Sequence, residues 1–116
     1  MHDDQNNGSN SIVQQLISWT AAHREELEAA GIYLEEYFPE PGSGFEWKAG
    51  IGLIMGEITV GFTVWEQTTF HADLTVVGGA GDALQIEYLT PSSPADIEPV
   101  LDAVVARLAQ GDYLKV

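Results

Sequence analysis

The sequence predicts an α+β fold: an antiparallel four- to five-stranded meander with an N-terminal and a C-terminal helix packed on one face, in the order α-β-β-β-β-β-α. Three observations predict it. Apolar residues recur at steps of three and four near both ends of the chain. Between those ends the period switches to two. The alternating segments are joined by short turns with no helical crossover, so sequence neighbours must pair antiparallel. The economical packing places both helical stripes on one apolar sheet face and leaves the opposite face towards solvent.

Each element has its own local signal. Residues 1–10 are mostly Asp, Asn, Gly and Ser, with His2 and Gln5 and no apolar residue after Met1, so a disordered polar tail is expected ahead of a single domain over 11–116. Ser11 to Ala30 reads as an amphipathic helix. Ser11 and Gln14 have capping-box spacing, and Ile12, Leu16, Trp19, His23, Leu27 and Ala30 share a face. Gly31 suits the position just past its end. His23 falls on the core-facing stripe and is expected to be a packed, hydrogen-bonded histidine. Ile32 to Phe38 is a short strand, and Pro39 to Gly44 a loop.

Phe45, Trp47, Ala49, Ile51, Leu53 and Met55 then alternate with polar and glycine positions, followed by a turn at Gly56-Glu57. Ile58, Val60, Phe62 and Val64 continue the core face, then Phe70, Ala72, Leu74 and Val76, then Leu84, Ile86 and Tyr88 after the Gly78–Asp82 loop. The final helix carries Ile97, Leu101, Val104, Val105 and Leu108 and stops at Gly111. A loose turn at Pro94 to Asp96 must precede it, because only a start near Asp96 puts Pro99 inside the first turn, where no ladder hydrogen bond is lost.

Charge narrows the function classes. Eighteen Asp and Glu face four Lys and Arg, for a net charge of −14. A chain with so few cations cannot build the basic footprint that nucleic acid requires. An anionic membrane surface repels it, and no apolar run approaches the ~18 residues of a membrane span. The polar start is not that of a secretory signal, so a cytoplasmic location is expected. The acidity reads either as a solubility device or as steering towards a basic partner.

The strand phases place Glu46, Lys48, Gly50 and Gly52, then Thr59, Gly61, Thr63 and Trp65, then His71, Asp73 and Thr75, then Gln85 and Glu87 on the open face. Trp65 is a large aromatic out of phase with the core. His71 and Asp73 point the same way from one strand. The strand glycines leave a floor bare of side chains. The candidate partner-binding residues are therefore Trp65 as an anchor, His71 and Asp73 as polar contacts, and Glu46, Glu66 and Glu87 as steering or salt-bridging groups.

Catalytic chemistry finds little support. The chain has no cysteine and no Gly-x-Ser-x-Gly elbow. The Gly78–Gly81 run lacks the Gly-Lys-Ser/Thr of a phosphate loop and leads into a strand. No catalytic residue, cofactor or metal is assigned. His71, Asp73 and Glu87 are the set a small metal-dependent hydrolase would use. An acidic secretion chaperone is the other alternative, although such chaperones place a helix between strands.

Ile58-Thr59-Val60-Gly61-Phe62-Thr63-Val64-Trp65-Glu66 resembles the strand ending in Val-Trp-Glu of small bacterial immunity proteins of the TriTu family. The hairpin leading to Ile86-Glu87-Tyr88, the Ser-Pro-capped final helix and the leading helix with its Tyr33–Phe38 strand are similar to that family too. The chain departs from the pattern in its glycine-rich middle strands and its Gly78–Gly81 hairpin. The resemblance implies an antitoxin of interbacterial competition. It would bind a cognate ADP-ribosyltransferase toxin that modifies the elongation factor EF-Tu and block its active site, with no catalysis of its own. The implied partner is a toxin domain with a basic surface, captured by a monomer to form a heterodimer.

Overall fold

The computed structural model describes residues 11–114 and has the expected α+β topology. The polar tail at 1–10 lies outside the described residues, as does Lys115. Helix α1 (Ile12–Ala29) leads into strands β1 (Tyr33–Tyr37), β2 (Lys48–Met55), β3 (Ile58–Glu66), β4 (Phe70–Val77) and β5 (Ala83–Leu89). A 3₁₀ turn (Pro94–Asp96) then opens helix α2 (Ile97–Gln110). The strands form one sheet in the order β1-β2-β3-β4-β5, each pair antiparallel.

Local chemistry sets the boundaries. The Ser11 hydroxyl accepts the Gln14 amide at 3.1 Å and starts α1, and Gly31 follows it at φ +82°. Gly56 (φ +62°) sits first in the two-residue β2–β3 turn, where a primed hairpin turn needs a left-handed residue. Asp96 accepts the amides of Ser92 (3.0 Å) and Ser93 (3.1 Å), which fixes the turn before α2. Pro99 is the third residue of α2, inside the first turn.

The core lies between one sheet face and the two helices. Leu16, Leu27, Ile51, Leu53, Phe62, Leu74, Ile97 and Leu101 are essentially inaccessible and belong to one cluster. Polar contacts tie the helices together. Trp19 Nε1 donates to Asp102 Oδ1 at 3.0 Å, and Gln15 donates to Glu98. His23 is the packed histidine expected. Its ring stacks on Trp19 at 4.2 Å, Nδ1 lies 2.8 Å from the Trp19 carbonyl, and Nε2 is 3.7 Å from Asp102. On the same side Arg24 of α1 pairs with Glu36 of β1.

Two phase assignments are corrected. Phe45 and Trp47 were expected on the core face, yet they precede β2 and are 65% and 38% exposed. Glu46 is the cause: its carboxylate takes the amides of Gly42 and Gly44 and folds the chain into a local loop before the strand begins. The second correction is β5. Val77 pairs with Ala83 but Val76 pairs with Gln85, so Leu84 is an extra residue at a bulge. One inserted residue inverts the parity of everything after it. Gln85 and Glu87 therefore face the helices, and Ile86 and Tyr88 face outward.

Phe62 is fully buried at the centre of the middle strand. Phe62→Ala should destabilise the fold by about 3–5 kcal/mol, read as a lower urea midpoint at unchanged slope.

Candidate functional site

The open face is a grid set by strand register. One row across the sheet is Glu35, Gly52, Gly61, Thr75 and Ile86. The next is Tyr37, Gly50, Thr63, Asp73 and Tyr88. Beside it run Lys48, Trp65 and His71. Three of the six sequence-predicted residues, Trp65, His71 and Asp73, are thus brought together on this face.

Trp65 and His71 are cross-strand partners and stack, with ring centroids 5.5 Å apart and planes 18° apart. His71 Nε2 lies 2.9 Å from the Thr69 hydroxyl. Asp73 accepts the Thr75 hydroxyl at 3.3 Å. Trp65 and Asp73, with Trp47, Lys48, Thr63 and Gln67, line a depression of about 380 Å³. A second depression of about 270 Å³ adjoins it through Lys48 and Thr63, and is walled by Tyr37, Phe38 and Phe45.

The other three predicted residues do different work. Glu66 points to the helix side. Its Oε1 accepts the Ser11 hydroxyl at 3.0 Å and the Val13 amide at 3.2 Å. A carboxylate there satisfies a free amide at the α1 N-terminus and faces the positive end of the helix dipole. Glu66 is thus engaged by the fold on the helix side, away from Trp65 and Asp73. Glu87 is corrected, because the Leu84 bulge turns it towards Val100, Val104 and Arg107 of α2. His71 and Asp73 therefore cannot converge with Glu87 on a metal, and no cluster of three metal-ligating side chains occurs among the described residues. Glu46 stays exposed beside the face, occupied with its own loop. Hydrogen bonds from its own amide and from those of Gly42 and Gly44 hold its carboxyl below the ordinary glutamate range.

The sequence reading missed the aromatic rim. Tyr33, Glu35 and Tyr37 alternate along β1 and share the open face, a period-two signal present in the sequence. The Tyr37 hydroxyl donates to Glu35, and that bond raises the Tyr37 pKa. Tyr33, Tyr37 and Tyr88 are each more than half exposed, as is Ile86. Ile86 and Tyr88 carried no such signal, because their alternation with Gln85 and Glu87 points the wrong way until the bulge is known. The face is a broad apolar and aromatic surface with two carboxylates, Glu35 and Asp73, and one cation, Lys48.

Comparison with protein-family models, with curated proteins and with solved structures finds no match to this chain. No helix is long and apolar enough to cross a membrane among the described residues.

Two outcomes follow from these assignments. Glu66→Ala should cost about 1 kcal/mol in thermal or urea unfolding and leave partner binding by the folded protein unchanged. The Gly42 and Gly44 amide resonances should titrate together with a midpoint below the ordinary glutamate value. Because the folded carboxyl is the more acidic, the loop contacts hold above that ordinary value and are lost as pH falls through the lower one.

Proposed function

We propose that this chain is an immunity protein of interbacterial competition, which binds a cognate toxin domain and blocks its active site without chemistry of its own. The observation that carries this reading is the open sheet face. A five-stranded sheet leaves Tyr33, Tyr37, Tyr88 and Ile86 exposed around Trp65 and Asp73, in a chain of net charge −14. Aromatic groups of this kind supply the anchors of protein interfaces. The surplus of carboxylates speeds encounter with a basic partner and discourages self-association of two acidic copies. The class of toxin, an ADP-ribosyltransferase acting on EF-Tu, rests on the resemblance of residues 58–66 to the TriTu family. A protein with this role acts in the cytoplasm, where such a toxin meets its target, and forms a heterodimer from a free monomer.

The test is binding to the toxin domain encoded beside this chain, together with protection of cells that express that toxin. The wild-type chain should protect, and its association rate should fall steeply between low and high salt. The double variant Trp65→Ala, Asp73→Lys should dissociate at least ~10-fold faster, as expected for loss of a central aromatic and reversal of a charge. A chain that neither binds nor protects would remove the proposal. Unchanged dissociation of the double variant would move the docking surface off this face.

A further inference from the structure

Three glycines interrupt the open face, and they are not equivalent. A Cβ at Gly50 would press on the Thr63 hydroxyl at 3.2 Å. One at Gly52 would meet the Glu35 carboxylate at 3.3 Å, with the Tyr37 ring at 3.9 Å. Those two are covered by neighbouring side chains. Gly61 is not: a Cβ there would meet nothing within 4 Å, and its φ is not positive. Neither crowding nor backbone conformation requires glycine at this position. Glycine still weakens a strand, and this one lies in the middle strand of the sheet. Its presence leaves bare backbone at the centre of the open face.

The surroundings of that gap have a definite chemistry. Across the sheet, Gly61 lies between Gly52 and Thr75. The Glu35 carboxylate hangs over Gly52 on one side, held by the Tyr37 hydroxyl. On the other side Thr75 donates to the Asp73 carboxylate. Both walls therefore carry a carboxylate held by a neighbouring hydroxyl. Of the described cations, Arg24 pairs with Glu36 and Arg107 stacks on Tyr113 and donates to Gln85 on the helix side, while Lys48 stands on the open face two rows from Gly61, beside Trp65.

We propose that the gap at Gly61 is a socket for a basic side chain of the protein partner. Arginine suits it best. Its apolar stem lies along the bare backbone, and its guanidinium reaches the Glu35 or Asp73 carboxylate, with the Tyr37 ring beside it. The partner segment that docks here is thus arginine-bearing. This socket rests on the reading of the chain as a binder of a basic protein, and it names the contact by which that partner is seated.

The experiment uses the full chain and a synthetic hexa-arginine peptide as probe, followed by amide NMR at moderate salt. Saturable shifts should centre on Gly52, Gly61 and Thr75. Gly61→Val should melt at the same or a higher temperature, since it adds a strand-favouring side chain in open space, and yet weaken peptide binding at least ~10-fold. That substitution changes no charge, so purely electrostatic association would not respond to it. Glu35→Gln should weaken binding, whereas Glu28→Gln, which removes the same charge from the end of α1, should not. Shifts centred on Glu25–Glu28, unchanged binding by Gly61→Val, or face shifts that grow with the chain's own concentration alone would each overturn the socket. A chain that binds the peptide at Gly61 but gives no protection against the toxin domain would refute the immunity role and leave the socket standing. Toxin protection that survives in Gly61→Val would do the reverse.

Discussion

The structure depends on both helices lying on the same face of a single antiparallel sheet. A helix stripe and a sheet face must each be buried against something. Here α1 and α2 together cover one face, and Phe62, Leu53 and Leu74 fill the space beneath them. The Trp19–Asp102 and Gln15–Glu98 contacts keep the helices side by side above it. Among the described residues no further element remains for the other face. Every open-face side chain is therefore placed by strand parity alone, and its neighbours by register.

The acidic residues divide along the same line. On the helix side many carboxylates have local partners. Glu66 receives the α1 N-terminus, Glu36 takes Arg24, and Asp102 takes the Trp19 indole. Asp96 and Glu46 hold turns in place through backbone amides. These groups contribute to net charge at long range, but their lone pairs are engaged. Glu35 and Asp73 differ because, among the described residues, each is held by a neighbouring hydroxyl and looks out across the open face. The charge of −14 is thus partly structural in origin, and the share available for short-range recognition on this face is small and localised.

Most of the architecture was legible in the sequence. Helix stripes, alternating strands, the Gly56 turn and the late start of α2 around Pro99 are short-range consequences of side-chain period and backbone sterics. So was the convergence of Trp65, His71 and Asp73, since residues 71 and 73 share a strand face and Trp65 pairs with His71. The outward side of β1 was legible as well, because Tyr33, Glu35 and Tyr37 alternate, although its weight as an aromatic rim emerges only from the exposed positions.

What the sequence determined by itself was the kind and order of elements, because periodicity and capping are local properties of the chain. The tertiary structure decided which way the last strand faces and what each carboxylate does. A single extra residue at Leu84 inverts β5, turns Glu87 to the helix side and brings Tyr88 to the open face, and alternation alone cannot locate a bulge. Glu66 meets the Val13 amide at the α1 N-terminus across a sequence separation of 53 residues, once the chain has folded back upon itself. Both outcomes depend on contacts between distant segments, which the residues beside them in sequence do not encode.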